Sequence, residues 1–411
     1  MEWVKGLPLA AAARQITTME AERTLSLAKR EQRGYGAPMN KNRKLRWTTI
    51  AGLLLGILGA GTLCGCNTQS PPVQSRTAYV ADTSQNSLLP FGVNTTTGAL
   101  TPLPGAPIAA NCNGPVAFAI TPSQHFLYVP CAQGNTFSGF VVNQNTGGLT
   151  AAGTFMSDNN PFAAAIDAGS KFLYIANSGG NSVTGYSINA TTGSVTAIAG
   201  GRVTTNFAPN GLAIDPSGAF LYVSTAFGNS GDVEGFSINS ASGPASGALT
   251  PLPGSPFASF LATAVKASPS GKYVYAADET NGVRAFSLNA RSGALTEIAG
   301  SPFPAGNEPF GIAMDPAGKF LYTGNFVSND VSAYAIDAAS GKLAAIAGSP
   351  FPVGMGPSKV IVDTKGKFVY VPSSSDNTIW GFTIDGATGS LTRATGSPLM
   401  ANGAADVVTI P

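Results

Sequence analysis

The feature that constrains this chain most is a unit of about fifty residues that recurs seven times. Each copy places a tyrosine in an apolar run of strand length, and successive tyrosines are 46 to 53 residues apart: Tyr79, Tyr128, Tyr174, Tyr222, Tyr275, Tyr322 and Tyr370. The next apolar run of each copy carries another aromatic residue: Phe91, Phe140, Tyr186, Phe236, Phe286, Tyr334 and Phe382. A period of this size is typical of folds built from repeated structural units.

Each unit has the pattern of four short strands joined by turns. In the copy that spans 308–350, the runs GIAM, FLYTG, VSAYAI and KLAAIA are separated by segments rich in Asp, Asn, Ser and Gly. A turn of the form Asx-x-x-Ser/Thr-Gly follows the third strand in every copy, beginning at residues 94, 143, 189, 239, 289, 337 and 385. The Asx side chain bonds to the backbone at the start of such a turn, and Gly adopts the left-handed backbone conformation at its end. The pattern predicts an all-β fold, a seven-bladed β-propeller with four antiparallel strands per blade.

The ends of the repeat region predict how the ring closes. Six copies include a first-strand segment, whereas the copy at Arg76 begins with its second strand. The C-terminal segment from Ala404 to Ile410 has the missing pattern. We therefore expect this segment to complete blade 1, which leaves no open inner edge.

A basic and apolar segment precedes the repeats. Basic residues between Lys41 and Arg46 are followed by an apolar run that ends near Leu63, and this layout is typical of a secretory signal. The run is short for a membrane-spanning helix. The residues Leu63-Cys64-Gly65-Cys66 resemble a bacterial lipobox, which implies lipidation of Cys66.

The domain boundaries follow from this pattern. We interpret 39–65 as a lipoprotein signal peptide, 66–75 as an extended linker containing two prolines, and 76–411 as the propeller. Residues 1–38 are an upstream extension or the result of a misassigned start. The expected location is the cell envelope, with a lipid anchor in the membrane and the ring facing the periplasm or exterior. An uncleaved membrane anchor is the alternative.

The charge balance limits the partners of the ring. Downstream of residue 65, the chain has 13 Lys plus Arg against 17 Asp plus Glu, and no basic run is interleaved with aromatic residues. This composition argues against a nucleic-acid partner. We expect a monomeric ring that binds a small molecule or an envelope protein.

Two cysteines lie within the ring. Cys112 falls in the loop before the first strand of blade 2, and Cys131 ends the second strand of that blade. An antiparallel hairpin brings both to the same face. For an exported protein this predicts a disulfide, with two free buried thiols as the alternative.

The sequence lacks the residues that several kinds of catalytic site require. His125 is the only histidine, and it occupies a turn where other copies carry lysine. Histidine-based catalysis and a His-rich metal site are therefore excluded, and neither a GxSxG elbow nor a phosphate-binding glycine loop is present. A hydrolase would use carboxylates, lysine or an oxygen-bound cation. No motif in the sequence requires a cofactor, and the sequence leaves binding of a divalent cation such as calcium undecided.

Polar residues that depart from the repeat are the candidates for function, because residues present in every copy are explained by folding. First strands begin and second strands end on one face of the ring. There the candidates are Arg202 and Asn210 in blade 4, Asp278 and Glu279 in blade 5 with Arg284 just beyond, and Glu308 and Asn325 in blade 6. We expect them to converge on one mouth of the axial channel. A solvated polar rim is the alternative.

Two lysines interrupt the innermost strands. Lys266 occupies a position that is alanine in four other copies, and Lys359 occupies one that is glycine or alanine elsewhere. A buried lysine without a partner is costly. Both therefore extend into the axial channel or pair with a carboxylate, and Glu308 is the nearest candidate for Lys359.

The ring resembles the bacterial lactonase-like seven-bladed propellers, which include the propeller-type 6-phosphogluconolactonases. The resemblance rests on the recurring Asp-Pro-x-Gly-x-Phe-Leu-Tyr, on Asx-x-x-Ser/Thr-Gly-x-Leu-Thr, and on Gly-Ser-Pro-Phe at residues 254, 300 and 348. It covers the whole ring and implies hydrolysis of a sugar lactone. These motifs are blade scaffolding, so no catalytic residue is carried over from the family.

Two hypotheses follow for the function. In the first, Glu308 or Asp278 activates water and Arg202, Lys359 or Arg284 orients the carbonyl of a sugar or acyl lactone. The remaining candidates contact the substrate: Asn210, Glu279, Asn325 and Lys266. A phosphate would need more converging Arg and Lys than this face offers, so we expect an unphosphorylated lactone. In the second hypothesis the ring is a non-enzymatic scaffold that binds a ligand or protein, because the fold does not fix the function.

Overall fold

The computed structural model describes residues 76–105 and 107–410. The predicted signal peptide, Cys66 and the linker lie outside this part of the chain. The described residues form seven antiparallel sheets from 31 strands, and their one helix is a short 3-10 turn, Ser178–Gly180. No helix among them is long and apolar enough to cross a membrane. The prediction of a seven-bladed, all-β propeller is confirmed.

The strands are numbered along the chain, and each blade is given from the axis outward. Blades 1 to 3 are as follows: in blade 1, β31 (Ala404–Ile410), β1 (Arg76–Asp82), β2 (Ser87–Val93) and β3 (Leu100–Pro102), with β4 (Ile108–Ala109) beside β2; in blade 2, β5 (Ala119–Ile120), β6 (Phe126–Cys131), β7 (Thr136–Val142) and β8 (Leu149–Met156); in blade 3, β9 (Pro161–Ile166), β10 (Phe172–Asn177), β11 (Ser182–Ile188) and β12 (Val195–Thr204).

The remaining four blades follow the same plan. They are as follows: in blade 4, β13 (Pro209–Ile214), β14 (Phe220–Phe227), β15 (Ser230–Ile238) and β16 (Leu249–Pro251); in blade 5, β17 (Ala262–Ala267), β18 (Tyr273–Asp278), β19 (Gly282–Leu288) and β20 (Leu295–Glu297); in blade 6, β21 (Pro309–Met314), β22 (Phe320–Asn325), β23 (Asp330–Ile336) and β24 (Leu343–Ala345), with β25 (Phe351–Pro352) beside β23; in blade 7, β26 (Ile361–Val362), β27 (Phe368–Ser373), β28 (Thr378–Ile384) and β29 (Leu391–Arg393), with β30 (Leu399–Met400) beside β28.

The C-terminal strand closes the ring. β31 pairs antiparallel with β1 and places Val408 opposite Tyr79 and Asp406 opposite Ala81. An ion pair reinforces this closure, because Arg76 of blade 1 donates to the Asp363 carboxylate of blade 7 over 2.7 Å. The prediction that the C-terminal strand completes blade 1 is confirmed.

The repeated tyrosines join neighbouring blades. Each tyrosine hydroxyl donates to the carbonyl of the glycine that ends the repeated turn of the next blade: Tyr79 to Gly147, Tyr128 to Gly193, Tyr174 to Gly247, Tyr222 to Gly293, Tyr275 to Gly341, Tyr322 to Gly389, and Tyr370 to Gly98. All seven distances lie between 2.7 and 2.9 Å. The tyrosine and glycine repeats, which are separate patterns in the sequence, are therefore two halves of one interaction.

Blade 4 reaches the same hydrogen bond through a longer turn. Its turn begins at Asn239, but the glycine that Tyr174 contacts is Gly247 rather than Gly243. The Gly247 amide donates to the Asn239 carbonyl over 2.8 Å, as the equivalent glycine does in the other turns. The prediction that Gly243 ends this turn is wrong, because an insertion extends the turn while the glycine contact is kept.

The apolar core is divided among the junctions between blades. Seven clusters of buried side chains are present, and each combines residues from two adjacent blades, as in the cluster that packs Phe220 and Tyr222 of blade 4 against Val265 and Phe286 of blade 5. Burial of this surface is the main stabilising contribution. Each blade is therefore stabilised by its two neighbours.

A disulfide joins Cys112 and Cys131 in blade 2. Their Cα atoms are 5.9 Å apart, which is within the ordinary range for a disulfide. Cys131 is fully buried, and its backbone forms an isolated bridge with Pro115. The bond ties the loop that precedes the innermost strand to the second strand of the blade.

A pair of buried carboxylates lies in the third strand of blade 4. Glu234 is 6% exposed and Asp232 is 2% exposed. The Asn206 backbone amide donates to Glu234 over 2.7 Å, and the Asn206 side chain donates to Asp232 over 2.8 Å. Burial first, and then the charge of Asp232, raise the pKa of Glu234 to about 7, while the Asn206 amide opposes this rise. The pair therefore holds a proton near neutral pH.

The hydrogen bond between blades can be tested at Tyr275. Tyr275→Phe leaves the buried Gly341 carbonyl without its donor, so we expect the free energy of unfolding to fall by about 1–2 kcal/mol. The matched control is Tyr273→Phe, because that hydroxyl lies 3.4 Å from its acceptor and is only part-buried. Urea unfolding of both variants is the measurement. The Tyr273 hydroxyl reaches Ala338 of the same neighbouring blade, so equal losses in the two variants would show that the buried bond to Gly341 has no special weight.

The Glu234 pair predicts a pH dependence of stability. The pKa of Glu234 is about 7 in the folded chain against 4.5 in the unfolded chain, so its contribution is complete below about pH 4.5 and is lost as the pH rises through 7. We expect Glu234→Gln, which keeps a neutral side chain, to remove a loss of roughly 2–3 kcal/mol between pH 5 and 8. The control is Glu308→Gln, which removes an exposed carboxylate. Urea unfolding across this pH range measures the effect, and parallel curves for the wild type and Glu234→Gln would refute it.

Candidate functional site

The axial channel contains two adjoining chambers. We call the face where the innermost strands begin the upper face. The upper chamber, of about 150 Å³, is lined near that face by Asn210, Phe310 and Ser358. The lower chamber, of about 320 Å³, is lined by residues from the ends of the innermost strands, such as Met314 and Thr409. Six residues line both chambers: Phe118, Lys266, Ile312, Lys359, Val360 and Asp406. All three charged side chains of the channel wall therefore lie where the chambers meet.

Lys359 and Asp406 occupy equivalent positions in neighbouring blades. In blade 7, Ile361 pairs with the repeated tyrosine, and in blade 1, Val408 does so. Lys359 and Asp406 each lie two residues before that partner. The other five blades carry a small residue at this position: Ala117, Ala163, Gly211, Ala264 and Gly311. The ring therefore places one cation and one anion side by side in a layer that is otherwise glycine and alanine.

Gly311 shows why this layer needs small residues. A Cβ atom at this position would lie 2.8 Å from the Cα of Lys359, which is closer than real Cβ contacts allow. The innermost strands of blades 6 and 7 therefore approach each other through the glycine. The approach fixes the Lys359 backbone at the channel wall.

Asp406 is held by backbone amides of two blades. Its carboxylate accepts a hydrogen bond of 3.0 Å from the Phe118 amide of blade 2 and one of 2.8 Å from the Val407 amide. Burial raises the pKa of Asp406, while the Lys359 ammonium and these two amides oppose the rise. The side chain is only 8% exposed, and it lines both chambers. It is a carboxylate in fixed orientation at a weakly solvated site.

Lys266 extends into the channel from blade 5. It pairs with Tyr275, so it lies one step further from the upper face than Lys359. The side chain is exposed to the open space of the channel, and yet burial by the surrounding protein lowers the pKa of Lys266. The two observations agree, because a narrow channel solvates an ammonium less well than bulk water does. Lys266 and Lys359 thus extend into the channel, one of the two alternatives that the sequence left open.

Aromatic rings form part of the upper chamber wall. Phe118, Phe162 and Phe310 are half-buried and line it together. The Lys359 ammonium lies 5.5 Å from the centre of the Phe162 ring, a distance at which the ring attracts a cation. The charged layer therefore borders an aromatic surface directly.

Asp278 and Arg284 are bound to each other within blade 5. The buried Asp278 carboxylate accepts hydrogen bonds from the Thr280 amide over 3.0 Å and from Arg284 over 2.8 Å. Arg284 also pairs with Glu297 over 3.0 Å and packs 4.6 Å from the centre of the Phe260 ring. Neither Asp278 nor Arg284 lines a chamber. These contacts favour a role in holding the blade together.

Glu279 and Glu308 lie at the upper rim of blades 5 and 6. Glu308 is exposed and adopts a left-handed backbone with φ of 54°. Burial raises the pKa of Glu279, and the charges of Glu308 and Asp278 add to this effect. No ion pair joins Glu308 to Lys359 among the described residues. The pairing expected for Lys359 is therefore wrong, because the carboxylate beside it is Asp406.

Two other candidates lie away from the channel. Arg202 belongs to β12, the outermost strand of blade 3, where it pairs with Asp158 over 2.6 Å. Its predicted place at the mouth of blade 4 is wrong. Asn325 is buried and donates to Asp330 over 2.6 Å and to Ser332 over 2.9 Å, so it stabilises a turn in blade 6. Of the predicted site residues, the ring brings Asn210, Lys266 and Lys359 together at the channel.

The sequence-based search missed Asp406 and Glu234. Asp406 departs from the repeat in the same way as Lys359, but the segment that contains it was interpreted only as the strand that closes the ring. Aligning that segment with the other first strands reveals the carboxylate. Among residues 76–105 and 107–410, no group of three or more His, Cys, Asp and Glu is placed to hold a metal ion.

Solved structures share this architecture. A candidate 6-phosphogluconolactonase from Bacteroides fragilis superposes with a TM-score of 0.68 at 22% identity, covering 82% of this chain and 98% of that one. A periplasmic gluconolactonase from Pseudomonas aeruginosa does so with a TM-score of 0.66 at 17% identity, covering 82% of this chain and 99% of that one. At these identities the likeness shows the fold alone. No curated protein matches the chain.

The family itself is identified by its sequence profile. The profile described as Lactonase, 7-bladed beta-propeller matches three overlapping stretches, residues 73–166, 150–255 and 246–354. Together these stretches cover more than half of the 411 residues. The chain belongs to the lactonase family of seven-bladed β-propellers.

Proposed function

We propose that the protein hydrolyses a small, unphosphorylated lactone in the upper chamber of the axial channel. One observation carries the proposal. The three charged residues that interrupt the innermost strands, Lys266, Lys359 and Asp406, line the same chamber. A lactone hydrolase needs a base for water and a cation for the developing oxyanion, and this chamber supplies both. Membership of the lactonase family supports the same reaction class.

The residues divide the reaction between them. Asp406 accepts a proton from water, whose oxygen attacks the lactone carbonyl carbon. Lys359 stabilises the negative charge that forms on the carbonyl oxygen. The bond between that carbon and the ring oxygen then breaks, and the proton held by Asp406 passes to the departing alkoxide. The product is a hydroxy acid, which ionises to a hydroxycarboxylate by releasing a proton to solvent, and Lys266 adds positive charge to the chamber that receives it.

The raised pKa of Asp406 suits this role. A general base works best when its pKa approaches the working pH, and burial shifts Asp406 in that direction. The hydrogen bonds from Phe118 and Val407 hold the carboxylate in place without neutralising it. Asp278, the base proposed from the sequence, is already bound to Arg284. A role for Glu308 as a base at the rim stays a prediction.

The cations of the chamber also favour an unphosphorylated substrate. Two lysines and no arginine line it, and one of the lysines lies beside Asp406. A phosphate dianion is usually bound by several converging donors, often from arginine forks. Beyond Lys359, which lies beside Asp406, the chamber has one further lysine, Lys266, which matches a single carboxylate product.

Substitution of the charged layer tests the proposal. We expect Asp406→Asn and Lys359→Met each to lower kcat/KM on hydrolysed lactones by about a hundredfold or more. Assays use sugar and acyl lactones with and without calcium; a pH-stat follows the acid released, and an enzyme-free blank corrects for spontaneous opening. Lys365→Met removes an exposed lysine and serves as control, while Glu308→Gln tests the rim carboxylate. Unchanged melting temperatures show that the variants fold.

The binding-scaffold hypothesis predicts a different result. If no lactone is hydrolysed, and a small molecule or envelope protein still binds through the upper face, the protein is a binding scaffold. If Glu308→Gln abolishes turnover and Asp406→Asn does not, the base lies at the rim instead.

We also propose that the protein is an exported lipoprotein. The basic and apolar segment before Cys66 supports export, and the disulfide in blade 2 suits an oxidising compartment. The Pseudomonas aeruginosa protein with the same fold is described as periplasmic.

Cys66→Ala tests this location. In a bacterial host, we expect the wild type to fractionate with membranes and to carry a lipid on Cys66. The variant should appear in the soluble fraction or keep its signal peptide. Mass spectrometry of the wild type identifies the first residue, and an unmodified N-terminus elsewhere would contradict the lipoprotein assignment.

A further inference from the structure

We propose that the lactone carries an aliphatic chain, which lies on an apolar track from the upper chamber to the rim of blades 6 and 7. This inference rests on the proposed function, because it places the lactone ring at Lys359 and Asp406. It goes further by choosing an acyl or alkyl lactone over a polyhydroxylated sugar lactone.

The track begins inside the chamber. Phe310 lines the chamber wall, and its ring centre lies 5.9 Å from that of Phe326. Phe326 follows β22, and its amide donates to the Glu308 carbonyl over 2.7 Å. Phe326 therefore extends the aromatic contact of Phe310 from the channel wall towards the upper face.

The track continues across the next blade. A Cβ atom at Gly356 would lie 3.1 Å from the edge of the Phe326 ring, so the ring covers the loop that enters blade 7. Met355, beside that glycine, is 54% exposed, and Val327, beside Phe326, is 50% exposed. Large apolar side chains are thus exposed where the aromatic wall reaches the surface, at a position that a bound aliphatic chain would cover.

The chamber offers few partners for a sugar. Its neutral polar side chains are Asn210, Thr263 and Ser358. Thr263 already donates to the Pro309 carbonyl over 2.8 Å. Outside the charged residues, which the lactone ring itself contacts, these side chains match only some hydroxyl groups of a sugar lactone, and a hydroxyl group that loses water without gaining a partner is unfavourable. An aliphatic chain gains instead from the rings of Phe310 and Phe326.

A homologous series measures the effect. The probes are γ-butyrolactone and its γ-alkyl derivatives with chains of increasing length, below their aggregation limits, with glucono-δ-lactone for comparison. We expect kcat/KM to rise about two- to fourfold for each added methylene until the rim is reached. Phe326→Ala should flatten this dependence by lowering kcat/KM most for the longest chains.

Two further variants provide a second test of the apolar track and a control for it. Met355→Gln changes an exposed position of the track and tests it even if Phe326→Ala fails to fold. Phe227→Ala is the matched control, because this phenylalanine is 75% exposed and belongs to blade 4, away from Phe310. We expect Met355→Gln to reduce the dependence on chain length and Phe227→Ala to keep it.

Binding separates this inference from the proposed function. Calorimetry with hexanoate, octanoate and decanoate measures the track without catalysis. If no lactone is hydrolysed but affinity rises with chain length and falls in Phe326→Ala, the hydrolase proposal fails and the apolar track stands. If lactones are hydrolysed without dependence on chain length, or if glucono-δ-lactone is the best substrate, the track is overturned and the hydrolase stands. Equal chain-length dependence in Phe227→Ala and Phe326→Ala would also overturn it.

Discussion

The hydrogen bond from the tyrosine of one blade to the turn glycine of the next is the interaction on which the ring depends. It is made seven times, and the bond from Tyr370 to Gly98 joins the last blade to the first. Because each apolar cluster also spans two blades, no blade has a complete core of its own. The polar bond adds a directional contact to this packing, because it joins each second strand to the turn of the neighbouring blade.

Much of the fold could be predicted because these interactions repeat in sequence. The spacing of the tyrosines gave the number of blades, and the displaced segment at 404–410 predicted closure. Predictions failed where one copy differs from the others. β12 is ten residues long, whereas the outermost strand of blade 4 has three, so Arg202 lies in blade 3 rather than at the start of blade 4. Strand length varies most at the outer edge of the ring, where few neighbours constrain it.

The candidate site was harder to predict because closure creates it. Lys359 and Asp406 are neighbours only after the C-terminal strand enters blade 1, beside blade 7. The departure of Lys359 from the repeat was recognised in the sequence, whereas Asp406 is recognised only when the C-terminal segment is aligned with the other first strands. The nearest template-breaking acid along the chain is Glu308, because blades 1 and 7 become neighbours only through ring closure.

The energetic cost of the channel charges explains why their arrangement matters. Burial raises the pKa of Asp406 and lowers that of Lys266, so the channel disfavours both charged forms. Apart from Lys359, the other blades carry apolar residues at the positions of Lys266 and Asp406, and such residues would avoid this cost. A bound anion would offset the cost for Lys266, whose ammonium it favours, and would raise the pKa of Asp406 further. Binding of a carboxylate to the channel should then be accompanied by proton uptake at pH values above the lowered pKa of Lys266. Occupancy of the site is thereby linked to the protonation of Lys266 and Asp406, whose charged forms the channel destabilises.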